Sequence, residues 1–213
     1  MRVIGGRFGG RALAAPRGDR TRPTTDRVRE ALFSILGDLR GAVVADLYAG
    51  SGALGIEALS RGAERVVFVE SARAALQSIE KNLAALRVDR ATATLIPVPV
   101  RRAGPALVAQ GPYDVVFCDP PWAELSAAVD ALESLLRLDL LSPAGALVLE
   151  HPASAASPEQ LADQLVRASV RRWGDTAVSL FSRPEAAPNE GPTPEPMPPP
   201  SSPGARPAKS RSP

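Results

Sequence analysis

Four consecutive residues, Asp119-Pro120-Pro121-Trp122, put a carboxylate, two residues without an amide hydrogen and an indole at the end of the apolar run Val115-Val116-Phe117-Cys118. The prolines fix φ and withdraw two backbone donors, so the carbonyls of Asp119 and Pro120 stay available as acceptors. Trp122 adds a flat π face beside them. Acceptors next to a stacking face suit a planar heterocycle that carries an exocyclic amine. Taken alone, a Pro-Pro after a strand is as often only a loop.

A second group lies upstream. The apolar run Ala42-Val43-Val44-Ala45-Asp46-Leu47 leads into Tyr48-Ala49-Gly50-Ser51-Gly52-Ala53-Leu54-Gly55, and Arg65 to Val69 forms a second apolar run ending at Glu70, fifteen residues past Gly55. Strand, glycine turn, helix, strand and terminal acid, in that order, make a nucleotide-binding βαβ unit. The glycines let a ligand approach the backbone, and the acid accepts ribose hydroxyls. Read literally, Gly50-x-Gly52-x-x-Gly55 with Glu70 fits a dinucleotide dehydrogenase as well as a methyl-donor site. Asp119-Pro-Pro-Trp122 separates them, because it has no task in hydride transfer.

The elements that must hold these groups alternate as in a parallel α/β sheet. Helices are expected over about 72–86, 103–109 and 125–136, with strands at 92–96 and 146–150. A helix is expected at 158–165, then strands 166–173 and 176–181 joined by Gly174-Asp175 as an antiparallel hairpin. The result is seven strands. Asp119 ends the fourth and the glycine turn ends the first, so both tips should face one crevice if the strand order reverses between them.

Residues 1–40 carry a net charge of +5, residues 41–182 a net charge of −4 and the remainder +1. This front-loaded charge predicts a polyanion contact by the N-terminal segment. Glycine pairs around Arg7 and Arg11 suggest a small hairpin whose arginines reach phosphates. Arg22 to Gly37 reads as an amphipathic helix capped by Thr24 or Thr25. Its apolar face is Val28, Ala31, Leu32, Ile35 and Leu36, and its polar face and entry hold Arg22, Arg27 and Arg29. Simple solvation accounts for such arginines equally well.

No apolar run approaches the roughly 18 residues of a membrane span, so a soluble cytoplasmic protein is expected. Cys118 is the one cysteine and His151 the one histidine, which excludes an intrachain disulfide and argues against a zinc cluster. Cys118 lies inside a strand and should be buried packing. From Arg183 onward eleven prolines fall in thirty-one residues, a composition that cannot bury a core. The expected organisation is a basic hairpin and helix over 1–40 that contacts a polyanion, a catalytic domain over 41–182 and a disordered tail over 183–213.

Three stretches together, Arg22-Pro-Thr-Thr-Asp-Arg-Val-Arg-Glu30, Asp46-Leu-Tyr-Ala-Gly-Ser-Gly-Ala-Leu-Gly-Ile-Glu-Ala-Leu59 and Asp119-Pro-Pro-Trp122, resemble the RsmD family of bacterial methyltransferases, which modify guanine N2 in 16S ribosomal RNA. The likeness spans about Arg2 to Phe181. It implies a Rossmann-like, seven-stranded class I fold with a small N-terminal β-hairpin extension, S-adenosylmethionine as methyl donor without a metal, and 16S rRNA in the small ribosomal subunit as substrate of a monomeric enzyme. Carried over by position, Gly50, Gly52 and Tyr48 line the donor, Asp46 orients its amino group, and Glu70 holds the ribose. Asp119, Pro120 and Trp122 take the target base, while Arg7, Arg11, Arg22, Thr24 and Arg27 contact RNA. One departure stands out: Pro97-Val98-Pro99-Val100 replaces the polar or acidic residue usual near the donor's adenine, so a backbone amide of Val100 or Arg101 is the expected contact. An adenine-N6 methyltransferase acting on DNA or RNA is the nearest alternative chemistry, with a non-catalytic RNA-binding module further off.

Overall fold

The computed structural model describes residues 1–16 and 26–184. Runs rich in β-branched residues form β1 (Val43–Leu47), β2 (Arg65–Val69), β3 (Ala93–Ile96), β4 (Tyr113–Cys118), β5 (Leu141–Pro152), β6 (Gln160–Leu161), β7 (Leu165–Trp173) and β8 (Thr176–Ser182). The helices are α1 (Asp26–Leu36), α2 (Ala53–Ser60), α3 (Arg73–Ala85), α4 (Gly104–Val108) and α5 (Leu125–Leu136). They build one mixed sheet in the order β3-β2-β1-β4-β5-β8-β7-β6. β1 to β5 run parallel, whereas β8 is antiparallel to β5, and β7 to β8. The order reverses between β1 and β4, where ligands of such sheets bind.

Register explains why chemistry collects at one edge. Leu47 pairs with Val69 on one side and Cys118 on the other, and Val69 pairs with Ile96. Tyr48, Glu70, Pro97 and Asp119 are the next residues along each chain, so four strand tips open onto a common rim. Both faces of the sheet are covered, which is why β4 is apolar from Val115 to Cys118 rather than alternating. Val115 and Phe117 pack with Val44, Phe68, Leu32, Phe33 and Ile56 on one face. Val116 and Cys118 pack with Leu47, Val69, Leu107, Leu132 and Leu135 on the other.

Three expectations are corrected. The sheet has eight strands, not seven, and no helix covers 158–165: β6 turns into β7 through Ala162 and Asp163, both at positive φ. Leu161 and Leu165 are buried partners across that turn, and a four-residue leucine spacing reads alike in a helix and a tight hairpin. The buried stripe of α1 is Val28, Arg29, Leu32 and Phe33, and Ile35 faces outward at 42% exposure. Phe33 takes the inward position because its ring meets Phe117, centroids 5.6 Å apart. That rotation carries Arg29 inside.

The N-terminal hairpin is a single antiparallel bridge, Arg2 with Ala12, around a 3-10 turn at Gly6–Phe8. Gly6 lies so close to the Ser60 carbonyl that a Cβ would stand 1.9 Å from its oxygen, and its φ is +72°. Buried polar groups pin this segment down. Glu57 accepts the amides of Ile4 and Gly5 at 2.7 and 2.8 Å. Asn82 accepts from Ala14 N and donates to the carbonyls of Ala14 and Ser51. The proline-rich stretch from residue 185 and the Arg22 and Thr24 positions lie outside the described residues.

Candidate active site

The turn after β1 begins with Tyr48 at φ 59°, followed by Gly50 at 55° and Gly52 at 78°. Left-handed backbone at a non-glycine residue costs free energy and marks a held conformation. Gly52 caps α2 without any side-chain hydrogen bond, and its Cα faces Ile79 and Phe68 rather than the cleft. Gly52 therefore shapes the turn, while Gly50 lies at the ligand surface.

A cleft of about 1030 Å³ opens at the strand tips. Asp46, Tyr48 and Gly50 line it from β1, Glu70 from β2, Val100 from the segment after β3, and Asp119, Pro120 and Trp122 from β4. The two groups singled out in the sequence thus share one space. Arg7, Arg11 and Arg27 do not line it. Arg7 sits over the Phe8 ring at 4.4 Å, Arg11 donates to the Ala85 carbonyl at 3.3 Å, and Arg27 is exposed.

Glu70 is engaged by backbone before any ligand arrives. One oxygen accepts Gly50 N at 2.9 Å, and the other accepts Ser71 N and Ala72 N at 2.7 and 2.8 Å. A carboxylate offers about four lone-pair sites, so one remains for a ligand hydroxyl. Asp46 is buried and accepts Gly55 N at 2.9 Å. Burial holds its carboxyl well above the ordinary range; the Gly55 bond opposes this, and the negative charges of Asp119 and Glu70 add to it. Asp46, Glu70, Asp119 and Glu124 all line the cleft, and such a concentration of acids favours a positively charged ligand. Burial also pushes the half-buried Tyr48 phenol up to about 12, so it stays neutral. The same cause raises the buried Cys118 thiol, which supports a packing role.

After β4, Trp122 opens a 3-10 turn in which Glu124 N donates to the Pro121 carbonyl at 2.8 Å. Among the described residues no backbone amide donates to the Pro120 carbonyl. Trp122 is 41% exposed at the mouth of the cleft. Val98, Pro99, Val100 and Arg101 also line the cleft, with Val100 and Arg101 opening another 3-10 turn whose first amides have no partner within it. Among the described residues no group of three or more His, Cys, Asp and Glu could hold a metal ion, and no helix is long and apolar enough to cross a membrane.

The sequence pattern missed Arg29, Ser51 and Glu124 as cleft residues. Arg29 had a readable signal: it stands four residues before Phe33, so if Phe33 faces inward Arg29 does too.

A solved structure described as a candidate methyltransferase of Escherichia coli, yhhF, is 34% identical with a TM-score of 0.68, covering 86% of this chain and 97% of that one. With the strand order and the cleft at its switch point, this defines a Rossmann-like class I S-adenosylmethionine-dependent methyltransferase fold. The family described as "Conserved hypothetical protein 95" matches residues 1–182. A candidate rRNA methyltransferase of Bacillus subtilis, YlbH, is 36% identical over 188 residues, 86% of this chain and 99% of that protein. Ribosomal RNA small subunit methyltransferase D of Escherichia coli is 42% identical over 137 residues, 62% of this chain and 67% of that protein. The chain belongs to this family, the RsmD family.

Proposed function

We propose that this protein transfers the methyl group of S-adenosylmethionine to the exocyclic N2 of a guanine in 16S rRNA, within the small ribosomal subunit. The observation that carries the reading is the single cleft lined by both Gly50 with Glu70 and Asp119 with Trp122. The relatives named above, a small-subunit rRNA methyltransferase among them, support ribosomal RNA as the substrate class.

When bound, S-adenosylmethionine supplies an electrophilic methyl on a cationic sulfur. The residues present fit such a group: the Gly50 turn allows close approach, Glu70 keeps one acceptor site for a ribose hydroxyl, and Asp46 faces a cationic end. Tyr48 adds neutral wall, and an amide of Val100 or Arg101 meets the adenine edge. Guanine N2 is a poor nucleophile because its lone pair is delocalised into the ring. Asp119 and the Pro120 carbonyl accept its N–H hydrogens and turn that lone pair toward the methyl, while Trp122 stacks on the ring. Stacking of this kind contributes about 1 to 3 kcal/mol per base. A base enters only if it leaves its own stack, which favours a loop over a duplex. Arg7, Arg11 and Arg27 hold the flanking phosphates, as do Arg22 and Thr24.

The test is transfer of tritium from labelled donor into small subunits lacking the modification, followed by nucleoside analysis. N2-methylguanine is the expected product. N6-methyladenine, or label in protein alone, overturns the reading.

A further inference from the structure

Arg29 is completely buried, yet its Nε and Nη1 have no hydrogen-bond partner. Only Nη2 is satisfied, by the Arg2 carbonyl at 2.7 Å and by Asp26 Oδ1 at 2.7 Å. Asp26 is itself 45% exposed and shared with Arg2, whose Nε lies 3.2 Å from Oδ2. The guanidinium is thus left with unmet donors in a desolvated position. An arginine kept only to brace α1 against the N-terminal segment would be satisfied by protein atoms. This one lines the cleft.

Its neighbours fix which end of the cleft it serves. The Arg2 backbone that contacts Arg29 continues directly from Met1, whose sulfur meets Ser51 Oγ at 3.6 Å. Ser51 follows Gly50 in the turn after β1 and lines the cleft with it. The unpaired guanidinium thus lines the cleft together with Met1, Gly50 and Ser51, where the N-terminal segment meets the turn after β1. Glu70, Asp119 and Glu124 already line the cleft with acids for a cation. A ligand with both a cationic centre and a carboxylate matches both halves.

We propose that Arg29 binds the α-carboxylate of the methyl donor, through the guanidinium nitrogens that the protein leaves unpaired. This rests on the reading that the cleft takes S-adenosylmethionine. A ribosomal phosphate is the other anion in reach of an arginine, but Arg29 is buried in the wall of the same cleft that Gly50 and Glu70 line, so the ligand that fills this cleft is the one its unpaired nitrogens lie beside. The N-terminal segment therefore contributes to the donor pocket through Arg29, in addition to any contact with RNA.

The experiment is calorimetric binding of two ligands that differ only in the carboxylate, S-adenosylmethionine and decarboxylated S-adenosylmethionine. The wild-type protein and Arg29→Met are compared, with Arg29→Gln replacing the latter if it does not fold. Wild type is expected to prefer the carboxylated ligand by about tenfold to a hundredfold. The variant should lose that preference to within about threefold, by weakening S-adenosylmethionine while leaving its decarboxylated analogue unchanged. Equal weakening of both ligands means a bracing role and overturns the inference. So does a wild-type protein that binds both equally, or a variant that loses only affinity for small subunits. A wild-type protein that binds neither ligand overturns the donor reading itself.

Discussion

The Glu70 carboxylate accepts the amide hydrogen of Gly50 at 2.9 Å, tying the tip of β2 to the turn after β1. The two tips are neighbours by register, since Leu47 pairs with Val69. A glycine at φ 55° can turn its amide back toward that acid without a Cβ penalty. The same carboxylate holds Ser71 N and Ala72 N at the approach to α3. Glu70 is thus a structural knot of the donor end before it is a ribose acceptor.

Replacing it therefore has two consequences. Glu70→Gln keeps one acceptor oxygen and sets an amide group against backbone N–H donors, so either Gly50 or the Ser71–Ala72 pair goes unmet. Hydrogen bonds to a charged group contribute about 1.5 to 3 kcal/mol. Donor affinity is expected to fall at least about tenfold, together with a lower melting temperature for the ligand-free protein. A melting temperature equal to wild type would show that the bracing contributes nothing.

Asp46 gives a pH signature. Burial raises its folded pKa, so above the unfolded value near 3.8 the native state holds a proton that the unfolded chain has released, and this group's contribution to stability declines as pH rises toward the folded pKa. A cation placed beside Asp46 pulls that pKa down. Binding of S-adenosylmethionine should then release protons, and affinity should rise with pH. Calorimetry in two buffers of different ionisation enthalpy measures the release. Asp46→Asn is expected to abolish it, and an unchanged release would assign the proton to another group.

His151 works in the opposite direction. Nδ1 lies 2.9 Å from the Pro152 carbonyl and so donates, which leaves Nε2 to accept from Ser179 Oγ at 2.9 Å in the neutral ring. Burial lowers its pKa, with Arg172 and Arg167 adding to the effect against the Pro152 bond. A depressed histidine contributes stability that is present above pH 6.5 and lost as pH falls below it, with a slope of at most about 1.4 kcal/mol per pH unit. Urea unfolding at pH 7.5 and 5.5 should show a smaller loss for His151→Gln than for wild type. Equal losses would clear His151 of the effect.

What could be read beforehand follows from which forces are local. β1, β2 and β4 are short apolar runs closed by glycine, acid or proline, and these signals sit within a few residues of one another. The shared rim needed one further rule, the order reversal between β1 and β4, and the register of Leu47 with Cys118 shows it. The segment around Leu161 was not legible, because its leucine spacing suits two structures and only pairing with β7 decides. Arg29 was hidden for a related reason. A cation beside a valine reads as solvent-facing until Phe33 is known to pack on Phe117, a contact between residues 84 positions apart.

Asn82 tests how far the N-terminal segment depends on the donor turn. Its amide holds Ala14 N, the Ala14 carbonyl and the Ser51 carbonyl from a buried position on α3. Asn82→Ala strands all three backbone groups, each at about 1 to 3 kcal/mol if no water replaces the bond. For a domain of this size 1 kcal/mol moves the melting temperature by about 2 to 4 °C. A drop of at least about 6 °C is expected, with faster proteolysis near Ala14. A drop below 1 °C would mean that water substitutes for the amide.

Asp119 separates chemistry from binding. It stands one residue past Cys118, whose partner Leu47 precedes the donor turn, and its charge is felt at Asp46 within the same cleft. If it accepts the target amine, the variant Asp119→Ala loses a contact that strengthens only as N2 becomes positively charged in the transition state. Turnover on small subunits should then fall by about 10² or more, with S-adenosylmethionine affinity unchanged or slightly weaker, because a negative charge near the sulfonium has been removed. Asp119→Asn retains an acceptor oxygen and should recover part of the rate. Single-turnover methyl transfer with saturating donor measures this directly. Equal rates for wild type and Asp119→Ala under those conditions would remove Asp119 from the chemical step and leave the Pro120 carbonyl as the acceptor.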